Sequence, residues 1–357
     1  MVAAHFSSQL HLHSLDSFPL LPNTAAQHDY ELHSLDFSTA FLQGSLHDEI
    51  WLRRPPGFTG SFPAGTQWSL QRPVYGLRQA PREWHDTLRM TLAALGFAPS
   101  TADPSLFLRT DATLPPFYVL VYVDDLVFAT ADTEALAHVL QRFGFTYSSP
   151  LSTPLPTGHS LSAPPSDESV EPSGPYPDFV GYLITLGMGL VLGGRARVVL
   201  TGHADASWVD DLATQQSSQG YTFSLGSGSV SWRSTRSSSV LSSSCEAEIY
   251  AVAMAAQELR WLTYLLTDLG EAPRSPLVFY VDNKAMLALC QEHRTKHIAL
   301  RYFLARELQQ RGQLRLAYVA SQANTADVFT KELQPCDHQR FCTVLGLVPT
   351  VPHLLSS

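Results

Sequence analysis

Two groups of acidic residues carry most of the chemistry legible in this chain. The first is Tyr122-Val123-Asp124-Asp125, inside the apolar run Phe117–Ala129. β-Branched and aromatic residues flank the acids on both sides, which predicts two short buried strands with the carboxylates at the turn between them. Ionised carboxylates in such a place are costly unless paired or bound to metal, and two side by side also repel. A divalent cation relieves both penalties, as in a two-metal phosphoryl-transfer site. The plainer alternative is a hairpin turn whose aspartates face water, since Asp is a common turn residue.

The second group is spread over the C-terminal half. Asp205 is expected to end a strand, Glu248 to lie in the first turn of a long helix, Asp282 to end the strand Leu277–Val281, and Asp327 to begin the final helix. Strand ends and helix starts along one edge of a mixed sheet are the usual place for a site. Four converging carboxylates suit two Mg²⁺ ions, which take oxygen ligands and act on phosphodiesters. Taken singly, each acid is equally explained as a cap or turn residue.

The elements that must position these residues follow from periodicity. In the first half, Glu31–Phe37, Glu49–Arg53 and Ser105–Arg109 read as strands, and Pro81–Leu95 and Ala131–Phe143 as helices. Residues 1–28 show little periodicity and read as an irregular leader. Residues 150–177 contain eight prolines among Ser and Gly, a linker composition that marks a domain boundary.

After it, Val198–Ala204 is a strand candidate, and alternating apolar residues around Gly226-Ser227-Gly228 predict a hairpin. Ser243 and Glu246 have capping-box spacing ahead of a long helix that Gly270 stops. Further segments are a helix at Lys284–Cys290, a helix at Ile298–Gln310, a strand at Leu314–Val319 and a helix at Ala323–Glu332. That order indicates an α/β domain.

At 357 residues two or three domains are expected, and a 45% hydrophobic content is ordinary for a globular protein. No transmembrane helix or signal peptide is expected. Four cysteines without CxxC pairing suggest free thiols in a reducing, intracellular compartment, cytoplasm or nucleus. The net charge of −9 argues against casual nucleic-acid binding. Residues 284–331, however, hold eight Lys plus Arg against three acids, a local net of +5 compatible with phosphate contacts or with an ordinary solvated face.

The ordered motifs resemble the reverse transcriptase–RNase H region of the Pol polyprotein of copia-type long-terminal-repeat retrotransposons. They are Leu35-Asp-Phe-Ser-Thr-Ala-Phe-Leu-Gln-Gly44, Arg54-Pro-Pro-Gly-Phe58, Val74-Tyr-Gly-Leu-Arg-Gln-Ala-Pro-Arg-Glu-Trp84, Asp103-Pro-Ser-Leu-Phe107 and Tyr122-Val-Asp-Asp125 in the first half. In the second they are Ala204-Asp-Ala-Ser-Trp208, Gly220-Tyr-Thr-Phe223, Val230-Ser-Trp232, Ser243-Ser-Cys-Glu-Ala-Glu248, Val281-Asp-Asn283, Arg294-Thr-Lys-His-Ile298 with Arg301-Tyr302, and Ala326-Asp-Val-Phe-Thr-Lys331.

The resemblance implies an α+β reverse-transcriptase palm fragment followed by an α/β RNase H-like domain with a mixed sheet and flanking helices. It divides the chain into a non-homologous leader (1–28), a truncated reverse transcriptase (29–148), a linker with a thumb remnant (149–197), an RNase H-like domain (198–335) and a C-terminal tail (336–357). By the same resemblance Asp36, Asp124 and Asp125 are polymerase metal ligands, and Asp205, Glu248, Asp282 and Asp327 are RNase H metal ligands. Glu246 competes with Glu248, but its capping role favours Glu248. The implied cofactor is Mg²⁺ or Mn²⁺, two per site. The implied partners are RNA, DNA, RNA–DNA hybrid and deoxynucleoside triphosphates.

The chain departs from the family pattern in its leader, in the short stretch after Thr133 where the primer-gripping segment belongs, and around Gly181–Leu190. Polymerisation requires ångström-level alignment, and misplacement costs roughly 100-fold. Impaired polymerase and retained RNase H are therefore expected. The competing readings are a non-catalytic nucleic-acid-binding relic and an unrelated metal nuclease or integrase, the latter opposed by the Asp-Asp hairpin together with the Asp36 stretch.

Overall fold

The computed structural model describes residues 17–37, 39–53, 67–143, 188–190, 192, 199–211, 215–238, 240–273, 276–291 and 299–349. The chain divides into two compact units, one formed by 30–146 and the other by 1–29 together with 147–357. The proline-rich stretch 150–177 lies outside the described residues.

The first unit carries β1 (Glu31–Asp36), a 3-10 turn at Ala40–Gln43, β2 (Trp51–Leu52), β3 (Trp68–Ser69), α2 (Ala80–Ala94), β4 (Phe97–Pro99), β5 (Leu106–Arg109), β6 (Phe117–Tyr122), β7 (Asp125–Thr130) and α3 (Thr133–Arg142). Five strands form one antiparallel sheet in the order β1-β7-β6-β5-β4, while β2 and β3 pair separately. Alternate residues Phe117, Val119 and Val121 of β6 join Leu126 and Phe128 of β7 in the core. Trp84, Leu88 and Leu92 of α2 and Leu136 and Val139 of α3 complete that cluster. Asp132 caps α3, its side chain accepting from the Ala135 N–H at 3.0 Å while also pairing with Arg109. Sheet and helices together form the expected α+β palm architecture.

The second unit begins with α1 (Ser17–His28). Its later elements are β8 (Met188–Leu190), β9 (Leu200–Asp211), β10 (Gln216–Leu225), β11 (Gly228–Arg236), α4 (Ser244–Asp268), β12 (Leu277–Val281), α5 (Lys284–Gln291), α6 (Ala299–Gln310), β13 (Leu314–Tyr318), 3-10 turns at Ser321–Ala323 and Thr325–Phe329, α7 (Pro335–Val344) and β14 (Leu347–Pro349). The main sheet runs β11-β10-β9-β12-β13. Strands β9 to β11 form an antiparallel meander, and β12 lies parallel between β9 and β13. A three-strand meander continued by parallel strands with covering helices is the RNase H-like arrangement. At Gly202 of β9 the rings of Phe279 and Phe223 lie so close that a Cβ would come within 2.2 Å and 2.8 Å of them.

Four expectations change. Residues 17–28 are not irregular: Leu20, Leu21 and Ala25 are buried, and the Asn23 side chain donates to the Leu225 carbonyl at 3.0 Å. Strand β9 runs through Asp205 to Asp211, so Asp205 is mid-strand rather than terminal. The final helix over 323–332 is instead two 3-10 turns. Residues 336–349 are no tail, because Phe341, Cys342, Leu345 and Leu347 pack with Val328 and Phe329. Among the described residues no helix is long and apolar enough to cross a membrane.

Candidate metal centres

In the first unit, β1 and β7 pair so that Asp36 stands directly opposite Asp125. The next N–H, of Phe37, donates to the Asp124 carbonyl at 2.9 Å. Tyr122 pairs with Asp125, leaving Val123 and Asp124 as a two-residue turn. Val123 has φ +51°, a left-handed conformation that hairpins of this length assign to Gly and that costs a β-branched residue of order 1–3 kcal/mol. The Trp84 indole N–H donates to the Val123 carbonyl, anchoring the turn. The backbone positions of all three acids expected in the first unit thus lie at one sheet end. Asp124 is half-buried and Asp125 exposed. Burial and then the two aspartates raise the Tyr122 phenol above its usual range.

In the second unit the parallel pairing of β9 with β12 sets Tyr280 beside His203. Asp205 lies two residues further along β9, and Asp282 two residues further, just past the end of β12. Helix α4 covers the sheet, and its Ser243 cap accepts from the Glu246 N–H at 3.2 Å. Glu246 turns back to accept from the Ser242 N–H and hydroxyl at 2.8 and 2.6 Å. Those bonds hold its carboxyl below the usual glutamate range and commit it to the helix end. Glu248 is buried at 5% exposure and turned into the cluster. One carboxylate oxygen each from Asp205, Glu248 and Asp282 lies within 4.8 Å of the others.

Asp327, in the turn Thr325–Phe329, joins them through Lys331. The Lys331 ammonium donates to Asp205 at 2.9 Å and to Asp327 at 3.0 Å, and lies 3.9 Å from Asp282. The Thr330 hydroxyl donates to the other oxygen of Asp205. Ser321 donates to Asp282 at 2.6 Å. Lys331, Thr330 and Ser321 were not singled out as site residues from sequence. The four-residue spacing of Asp327 and Lys331 was the available signal for the first of them.

Residues 5–152 match the family described as "Reverse transcriptase (RNA-dependent DNA polymerase)". The match starts inside the segment expected to lie outside the family. Along 94% of its length the chain is 29% identical to the "Retrovirus-related Pol polyprotein from transposon RE2" of Arabidopsis thaliana. It is 26% identical over 89% of its length to the corresponding polyprotein from transposon TNT 1-94 of Nicotiana tabacum. The chain is similar to the Pol polyproteins of these two plant transposons.

It spans 29% and 31% of those two relatives' lengths. Among solved structures, the foamy viral protease–reverse transcriptase in complex with RNA/DNA hybrid is 14% identical, with a TM-score of 0.44 over 91% of this chain and 48% of that one. The N-terminal RNase H domain of rv2228c from Mycobacterium tuberculosis is 13% identical, with a TM-score of 0.29 over 41% of this chain and 97% of that one. The RNase H-like arrangement of the second unit rests on its strand order.

The electrostatics of the second cluster are those of a site short of positive charge. Burial, then Asp205 and Asp282, push Glu248 up to about 9, and its Oε2 has no hydrogen-bond partner. Burial and Asp205 raise Asp327 to about 7 against the pull of Lys331. Burial likewise raises Asp205, with Lys331 and Thr330 opposing. Burial alone would lower the Lys331 ammonium, but Asp205 and Asp327 outweigh it and hold the proton on. One ammonium faces four carboxylates. The donors are all oxygen, three of them converge, and one buried oxygen is orphaned, so a hard divalent cation fits.

Proposed function

We propose that the second unit is a divalent-metal-dependent ribonuclease that cuts the RNA strand of RNA–DNA hybrids. Asp205, Glu248 and Asp282 would hold the ion, with Asp327 completing the set. Mg²⁺ or Mn²⁺ would supply an activated water and stabilise the leaving oxygen of a phosphodiester. The convergence of three carboxylates around the unpartnered Glu248 oxygen carries this reading. Ser321 orients the Asp282 carboxylate, and the meander holds Asp205 rigidly at the sheet centre.

The first unit is proposed as a reverse-transcriptase palm in which Asp36, Asp124 and Asp125 would bind metal beside primer and nucleoside triphosphate. The Asp36–Asp125 register supports that placement. Polymerisation is proposed to be impaired, because the family's primer-gripping segment has little counterpart in the chain.

A second reading, a non-catalytic hybrid-binding relic, is favoured by one observation: Lys331 already neutralises part of the acid cluster. Cleavage of a labelled RNA–DNA hybrid with Mg²⁺ or Mn²⁺ separates the two. The nuclease reading requires wild-type turnover that Asp282→Asn reduces by about 100-fold or more, as loss of a positioned charge does. Equal cleavage by both proteins refutes it. Binding without turnover selects the relic.

A further inference from the structure

Among the described side chains around the acid cluster, Lys331 is the one cation, and its geometry is that of an occupant rather than a neighbour. Its ammonium reaches three carboxylates from three separate parts of the fold: β9, the end of β12, and the 3-10 turn. Asp205 and Asp282 also belong to the convergent trio with Glu248. The same two carboxylates therefore serve either Lys331 or a divalent ion, and two positive charges in that space repel.

We infer that Lys331 is an internal counter-cation that competes with the divalent metal and sets the metal concentration at which the site loads. This rests on the metal-site reading above.

The side chain is built for the exchange. It is a third exposed, so it has an open route toward solvent. A lysine stem is a flexible four-carbon chain ending in a compact charge, so the ammonium can leave the cluster without moving the backbone. In the metal-free state it limits the repulsion among buried carboxylates. In the loaded state that task passes to the ion. Apparent metal affinity is then the intrinsic affinity multiplied by the fraction of molecules in which Lys331 has swung away.

Mn²⁺ binding to the whole chain, followed by electron paramagnetic resonance and by thermal melts with Mn²⁺ or chelator, tests this. Lys331→Met keeps the length and removes the charge. It should bind Mn²⁺ about tenfold or more tightly than wild type, the scale of a nearby unit charge after solvent screening. Its melting temperature in chelator should fall and recover with Mn²⁺. Lys331→Arg, which keeps a positive charge on a bulkier fork, should bind Mn²⁺ no more tightly than wild type. Lys331→Gln provides the neutral comparison if Lys331→Met does not fold in chelator.

Unchanged or weaker Mn²⁺ binding in the neutral variants, with normal binding by wild type, overturns the competition and makes Lys331 a structural or metal-assisting residue. Absence of Mn²⁺ binding, or Mn²⁺ binding that Asp282→Asn leaves unchanged and that is therefore held elsewhere in the chain, overturns both the competition and the metal-site reading.

Discussion

Glu248→Gln should make the metal-free second unit less sensitive to alkaline pH. The carboxyl is buried among like charges and raised from 4.5 to about 9, burial contributing most. A carboxyl whose folded-state pKa is raised stabilises the fold below its unfolded value, near 4.5, and that contribution is lost as pH rises through about 9. The distance from 4.5 to about 9, at ~1.36 kcal/mol per pH unit, sets a ceiling of about 6 kcal/mol. Asp205 and Asp282 contribute to the shift and readjust when Glu248 changes, so the expected effect on Glu248 itself is at least ~2 kcal/mol. Gln keeps the volume and cannot ionise.

Urea denaturation in chelator at pH 5 and pH 9, followed by tryptophan fluorescence, measures this. The second unit's transition is the one that Gly202→Ala displaces. Wild type should lose stability from pH 5 to pH 9, and Glu248→Gln should lose at least ~2 kcal/mol less. Asp327, raised in the same sense to about 7, leaves a residual slope in both proteins. A flat wild-type profile, or parallel profiles for the two proteins, refutes the assigned burial and repulsion at Glu248.

Gly202→Ala forces a methyl within 2.2 Å of the Phe279 ring, so it should destabilise the second unit by at least ~1–3 kcal/mol in the same urea assay. Asn23→Ala removes the donor to the Leu225 carbonyl and the acceptor of Gln27, whose amide donates at 2.6 Å. It should lower that transition by ~1–3 kcal/mol while leaving the first unit's transition in place.

Elements with strong local patterning were legible in the sequence. The helix behind Ser243 shows apolar residues at helical spacing with an N-cap, and it forms at Ser244–Asp268. The alternation around Gly226 produces β10 and β11 with Leu225 opposite Gly228. The Asp-Asp turn lies where two short apolar strands required it.

Features set by distant contacts were not legible. Helix α1 contains Pro22 and buries Asn23 and Thr24 beside Leu20 and Leu21, so it carries no clear apolar stripe. Its docking site is what holds it. Lys331 reads as an ordinary cation because its pairing with Asp205 spans 126 residues. The segment after Pro335 reads as a tail because Gly346, Pro349 and Pro352 interrupt its apolar residues, and the packing of Phe341 and Leu345 is set by Phe329, far from any local pattern.

The docking of α1 also bears on how the chain folds. The Asn23–Leu225 bond closes across 202 residues, a span that includes the whole 30–146 unit. At ~5–20 residues per second, a ribosome needs roughly 10–40 s to deliver Leu225 after Asn23. Through that interval Leu20, Leu21 and Ala25 have no strand to cover them, while the 30–146 unit can already close around its own core. The second unit is therefore sealed late, by a segment made well before the strands it covers, and its assembly is the slow, long-range step of the pair.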